Sequence, residues 1–277
     1  MARRRKQKKG SLIWWGILVA IAVLTPTASK VAPESVKDLI NPNESSQQQS
    51  TYKESPTFKE SYDTIANWQF ASGMQAIKIV NHNQSQLKTT DWKYDHIDYA
   101  KLDHLNRARL ATAYLDHSNL GRSAGRPAQN WSPAGWHNQP VTVSGKRVYP
   151  QNRGHLIAYT LTFNLNEDGK QESGAEGSSD NPKNLATQTA FSNQEPMQVY
   201  EEQVRNALER HEKVIYRVQP VYSGNELMPR GYWVQALSTD KKVNFNAYIW
   251  NVQPGVTFDY ATGRSKADKN MTVTYEQ

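Results

Sequence analysis

The chain beyond about residue 61 predicts an α+β fold built on an antiparallel β-sheet core. Three observations carry the prediction. Segments rich in β-branched and aromatic residues, often alternating with polar ones, recur along the chain. The later ones are separated by short polar connections of hairpin type, such as Ser223-Gly224-Asn225-Glu226 and Ser238-Thr239-Asp240. One segment has a strong helical period instead. Without an internal repeat, and with apolar segments running to the end, 61–277 reads as a single domain.

In chain order, six Lys or Arg lie between Arg3 and Lys9, followed by an uncharged run from Ser11 to Ala28 with its apolar centre at Leu12 to Leu24. A basic flank before a short apolar stretch reads as a signal peptide or signal anchor, 1–29. The run is short for a span, and Thr27 and Ser29 offer a mediocre cleavage site, so release and anchoring both stay open. In either case the rest of the chain is expected outside the cytoplasmic membrane, because the basic flank stays inside. Residues 30–60, rich in Ser, Gln, Glu, Lys and Pro, read as a disordered tether. Strands are then expected at Ala76 to Val80, Ala108 to Leu115, Arg147 to Tyr149, Val214 to Val218, Tyr232 to Leu237 and Val243 to Val252. The helix is expected from Pro196 to His211, where Met197, Tyr200, Val204, Ala207 and Leu208 share a face. Ser192 and Glu195 have capping-box spacing, whereas Pro196 fits best as the first helical residue, and the two starts compete. Polar, Gly- and acid-rich 164–183 is expected to be a surface loop.

Charge narrows the function more than its total suggests. The net +7 includes seven basic residues before Val31; the remaining 26 basic residues balance 26 acidic ones. Their distribution is uneven: Lys101 to His155 holds eight Lys or Arg against two Asp, and Asn164 to Glu202 holds two Lys against eight acids. That suits a polyanion site with its own metal region, although two ordinary solvated faces would give the same counts. With no cysteine, thiolate nucleophiles, thiolate zinc sites and disulfides are excluded.

The chemistry concentrates around Asn152-Arg153-Gly154-His155 and the helix start. Gly154 is expected to let the backbone turn, so that its neighbours project into one cleft with His155 as a general base. A lone histidine is more often a surface or satisfied core residue, so His155 depends on its company. Asn193 offers an uncharged oxygen of the kind Mg²⁺ accepts, and an N-cap would use it equally well. Glu201 shares the stripe of Met197, Val204 and Leu208 and so faces inward, where it needs a partner: metal-bound water, or Arg205 one turn on. Trp131, Trp136 and His137 either line the cleft and stack on unpaired bases or, as is commoner for tryptophan, belong to the core.

Asn152-Arg153-Gly154-His155-Leu156, Asn184 to Thr189, Asn193-Gln194 and Tyr200-Glu201, in this order, resemble the DNA/RNA non-specific endonucleases. These are ββα-metal or His-Me finger nucleases, and the similarity is to secreted and membrane-anchored DNases of Gram-positive bacteria. It covers most of the chain after the tether. The resemblance implies a metal finger made of a strand, a loop with Arg-Gly-His and a metal-binding helix. It implies His155 as general base, Asn193 as ligand of one Mg²⁺ with Mn²⁺ as substitute, and Glu201 holding the metal's waters. Asn184 would support the site through hydrogen bonds, and Arg153 and Arg205 would face phosphate or developing charge. Arg122 and Arg126 fall where the family carries substrate-contacting basic residues. Asn152 stands where the family usually has Asp, so a role that requires a carboxylate there is in doubt, while an amide still holds the loop. The expected function is an exported, Mg²⁺-dependent, sequence-non-specific endonuclease acting on DNA, with RNA as a second substrate, and needing no obligate protein partner. The rival readings are a non-catalytic DNA-binding surface protein for DNA uptake or biofilm attachment, and a hydrolase of other phosphodiesters or cell-wall polymers. A binder has no need of His155 with Asn193, and a glycosidase would show paired carboxylates.

Overall fold

The computed structural model describes residues 60–276; the expected leader and nearly all of the tether lie outside the described residues. Among the described residues no helix is long and apolar enough to cross a membrane. The centre is a six-stranded antiparallel sheet, in which β1 (Ile77–Ile79), β10 (Asn244–Trp250), β9 (Gly231–Ser238), β8 (Val214–Val221), β3 (Ala111–Leu115) and β2 (His96–Tyr99) lie side by side in that order. The long runs β8 to β10 are almost wholly buried, as expected for central strands covered on both faces.

Period-two alternation divides the sheet's residues between two cores. Ala113, Tyr216, Val218, Val234 and Phe245 belong to the larger one, together with Met197, Tyr200, Val204 and Leu208 of the long helix. Trp233, Tyr248 and Trp250 belong to a second cluster with Ile65 of a short helix α1 (Tyr62–Ala66) and with Trp68 and Phe70. The sheet therefore carries the long helix and the elements around His155 on one face and the beginning of the described residues on the other.

Those elements form a separate antiparallel pair, β6 (Gln151–His155) and β7 (Leu185–Thr189), followed by helices α2 (Ala190–Gln194) and α3 (Pro196–Glu209). Two hairpins complete the body: β4 (Val141–Val143) with β5 (Lys146–Val148), and β11 (Val256–Asp259) with β12 (Arg264–Ala267). The expected long helix is present with Pro196 at its first turn. The capping box is not: Thr189 caps α2, its hydroxyl accepting from the Ser192 amide at 3.0 Å, and Glu195 lies between the two helices. Proline's missing N–H and fixed φ explain why the long helix begins anew at 196.

A clamp of hydrogen bonds joins the finger to the sheet. The Asn251 amide accepts from the Thr189 N–H at 2.7 Å and donates to the carbonyls of Thr187 at 3.0 Å and Pro229 at 2.8 Å. Tyr232 Oη donates to the Thr187 carbonyl at 3.0 Å, and the Thr189 hydroxyl to that of Val252 at 2.6 Å. All these groups are buried, so each would be costly to leave unpaired.

Candidate active site

His155 ends β6 opposite Leu185, and Arg153 stands opposite Thr187. The Arg-Gly-His residues thus lie on a strand, not in the turn expected of them. Gly154 has another reason to be glycine. A Cβ there would fall within the side chain of Gln188 across the pair, 2.7 Å from its Cβ atom. Gln188 in turn donates to the Ser192 hydroxyl at 3.1 Å, so the close approach at Gly154 connects β6 through β7 to α2. Helix α2 packs on both strands and carries Asn193 in its last turn, immediately before α3.

The imidazole is 8 % exposed, and its Nε2 lies 3.0 Å from the Ser179 carbonyl. Nε2 must donate there, which leaves Nδ1 as the unprotonated, proton-accepting nitrogen. Burial is the main cause that pushes the His155 pKa down, to about 4, and nearby Arg126 acts in the same direction; the Ser178 and Ser179 carbonyls and Asp180 oppose them. The ring is therefore neutral at neutral pH. The segment 164–183 is consequently more than a surface loop. Ser178, Ser179 and Asn181 are buried, and the Ser179 carbonyl fixes the histidine's tautomer.

Asn184 is fully buried, and its amide closes two bonds of 2.9 Å with the Ile157 backbone, accepting from the N–H and donating to the carbonyl. It thereby fixes the chain just after His155. Arg153 places its guanidinium 4.5 Å from the centre of the Trp136 ring, and its Nε is buried with no hydrogen-bond partner. Trp131 and Trp136 are half-buried and belong to neither buried cluster, which goes against the commoner of their two expected places, the core. Arg122 and Arg126 are exposed on the stretch that follows Leu120, and Asn152 is half-buried in β6 opposite Gln188.

Glu201 is half-buried and faces inward from α3, whereas Glu202 is exposed, as the helical stripe predicts. Burial pushes its carboxyl up to about 8, against the opposing charge of Arg205. The expected i,i+4 ion pair with Arg205 is replaced by one in the other direction, Arg205 Nη1 to Glu209 Oε1 at 3.8 Å. Arg205 Nη2 donates to the Thr160 carbonyl at 3.1 Å and the Gly121 carbonyl at 3.4 Å, so the guanidinium fastens α3 to the segments after β3 and β6. Glu201 is left as a desolvated carboxyl group that feels the charge of Arg205, and no hydrogen bond to it is found among the described residues.

No group of three His, Asp or Glu residues able to hold a metal occurs among the described residues. A centre built on one amide oxygen and waters needs no such group. Mg²⁺ accepts oxygen ligands singly and keeps much of its hydration, so the Asn193 amide on α2 and the Glu201 carboxyl on α3 are donors of the type it takes.

A buried neutral imidazole on a strand pair, followed by two helices that carry an amide and a carboxyl group in turn, is the arrangement of a ββα-metal type of nuclease. The family model for DNA/RNA non-specific endonucleases matches residues 85–240. The chain belongs to that family, whose members are metal-dependent phosphodiester hydrolases. Among solved structures, it is similar to NucA from Streptococcus agalactiae, in a metal-free and a magnesium-bound form. Each is 32 % identical and covers 70 % of this chain; 87 % and 89 % of the two NucA chains are covered, with TM-scores of 0.60 and 0.61. The Sda1 nuclease with bound zinc shares the fold at 21 % identity and a TM-score of 0.54, over 70 % of this chain and 97 % of its own.

Gln151 escaped the sequence reading, and Gln188 entered it only as part of the stretch Asn184 to Thr189, with no role of its own. Both are buried amides within strands.

Proposed function

We propose that the chain is an exported, Mg²⁺-dependent, sequence-non-specific endonuclease that cuts DNA, and RNA as a second substrate, leaving 5′-phosphate ends. The observation that carries this reading is His155: buried, neutral, held through Nε2 and with Nδ1 left to accept a proton. His155 takes the proton from the attacking water. A conjugate acid near pH 4 makes a weak base, and an approaching phosphodiester anion raises it toward the working range by offsetting Arg126.

Asn193 would be the direct ligand of the cation and Glu201 would hold the waters around it, and the cation, when bound, would supply positive charge to the scissile phosphate and the departing 3′ oxygen. Arg153 faces the phosphate, and its unpartnered buried Nε is a donor suited to an anion. Arg205 adds positive charge from α3, while Arg122 and Arg126 meet the flanking backbone. Asn184 keeps the chain beyond His155 in place. Asn152 replaces the usual carboxylate with an amide, so its place in β6 is kept without the charge. Contacts of this kind reach phosphate and carry no base information. Export follows from the basic and apolar leader, with the domain released or anchored at the outer face of the cytoplasmic membrane.

Circular plasmid is the decisive substrate, because only an endonuclease opens a molecule without ends. The full-length chain is expected to cut it with Mg²⁺, and EDTA or His155→Ala should each abolish cutting. Plasmid that stays intact but is retarded on a gel by both proteins would replace the catalytic reading with a DNA-binding one.

A further inference from the structure

We infer that the two hairpins β4–β5 and β11–β12 together form an extended phosphate-backbone clamp beside the catalytic strand, an inference that rests on the nuclease reading above. The second hairpin lies beyond the stretch matched by the family model, at 256–267. The two pack side by side, β12 against β4, and Gly255 leaves room for Val143, whose side chain fills the place of a Cβ. Lys146 and Arg147 of the first hairpin, Arg264 and Lys266 of the second, and Lys269 just after it are all exposed. None of the five has an ion-pair partner among the described residues.

The nearby acids are already engaged. Asp259 accepts from the Ala261 N–H at 3.1 Å and from the Thr262 hydroxyl at 2.7 Å, and Asp268 from the Asn270 N–H at 3.0 Å. Arg264 stands opposite Asp259 in the hairpin register, yet Asp259 is held by Ala261 and Thr262, so the exposed cations keep a positive field of the kind a polyanion answers.

The clamp is fastened to the active site by Gln151, the first residue of β6. Its buried amide donates to the Gly263 carbonyl at 2.7 Å, in the turn that leads into Arg264, and accepts from the His137 N–H at 2.7 Å. Gly263 sits directly against the Gly135 carbonyl, where a Cβ has no room, and the next residue, Trp136, stacks on Arg153. Hairpin, catalytic strand and Arg153 therefore move as one piece. Arg147 is six residues before Arg153, so the chain allows at most about 20 Å between them. That reach corresponds to roughly six base pairs of duplex rise. The partner is accordingly a duplex backbone within about six base pairs of the cut. The five cations are positioning residues for long substrates and take no part in the bond-breaking step.

The test compares the full-length native chain with the fourfold variant K146A/R147A/R264A/K266A. In EDTA, where nothing is cut, binding to a labelled duplex of about 24 base pairs is measured from roughly 50 to 200 mM salt. Each lost phosphate contact should make the slope of log affinity against log salt shallower by about 0.9, so a drop of about 3 to 4 is expected. With Mg²⁺, KM for plasmid should rise by about tenfold or more while kcat is kept. Turnover of bis(p-nitrophenyl) phosphate, which is too short to reach the hairpins, should not change. An unchanged salt slope and plasmid KM overturn the inference. If the fourfold variant loses turnover of the small ester, the pair R147Q/R264Q decides by the same two readouts. A native chain that cuts neither plasmid nor ester defeats the nuclease reading, and the slopes in EDTA still judge the clamp.

Discussion

At the residue scale, His155 shows how burial selects a protonation state. Its pKa lies below that of a free imidazole, about 4 against 6.5, so the unfolded chain binds the extra proton first as pH falls. Its contribution to stability is complete above pH 6.5 and is lost as the pH falls toward 4. Thermal melts over this window should show the native chain losing Tm with acid more steeply than His155→Ala. Equal slopes would mean that the ring is already solvated and charged, contrary to the burial that keeps it neutral. Asn193 calls for a different readout, because its proposed role is to hold an ion. A cation that binds only the folded state at about a hundred times its Kd adds about 2.7 kcal/mol, which raises Tm by roughly 5–11 °C. Mg²⁺ should produce such a shift in the native chain and in His155→Ala, and most of it should vanish in Asn193→Ala. If Asn193→Ala keeps the full shift, the cation is held elsewhere.

The element scale is where the sequence was most and least legible. Strands β8, β9 and β10 were evident because β-branched and aromatic residues alternate over long runs, and α3 because its apolar stripe is unbroken. Arg-Gly-His was placed in a turn because glycine usually marks one, whereas Gly154 answers to Gln188, thirty-four residues on and across a strand pair. Periodicity carries no such information. The same holds for Asn251, a polar residue just past the end of an apolar strand, whose amide joins the finger to the sheet. Removing that amide leaves the Thr189 N–H and the Pro229 carbonyl buried without partners, while the Thr187 carbonyl still has Tyr232. At about 1–3 kcal/mol for each orphaned group, Asn251→Ala should cost on the order of 2–6 kcal/mol in denaturant unfolding. It should also slow cutting, because β7 loses its register with the sheet. A loss under about 1 kcal/mol would show that water replaces the clamp and that the finger holds its place through packing alone.

At the scale of the whole molecule, the described chain closes on itself. Residues near its start and end pair through backbone bonds: Gly73 N–H to the Thr272 carbonyl at 2.9 Å, Ala76 N–H to that of Thr274 at 2.8 Å, and Thr274 N–H to that of Met74 at 3.0 Å. The bridge is parallel and joins Gln75 to Thr274. It was not legible in the sequence, since a pairing across nearly the whole domain has no local pattern. Met271 and Val273 pack against the Trp68, Tyr248 and Trp250 cluster, on the sheet face away from the catalytic elements. Two half-buried apolar side chains contribute about 2 kcal/mol together, so the double variant Met271→Ala/Val273→Ala, which keeps the backbone pairing, should melt roughly 4–8 °C lower. Tyr275, which meets Phe191 of α2 with ring centres 5.6 Å apart, stays in place in this variant, and the finger is anchored through β9 and the end of β10, so plasmid cutting at room temperature should survive. Met271 and Val273 would then hold the molecule closed on one face while the other face holds the histidine. If the double variant keeps its Tm but stops cutting, these two side chains serve the active site through the sheet, and that division of labour is wrong.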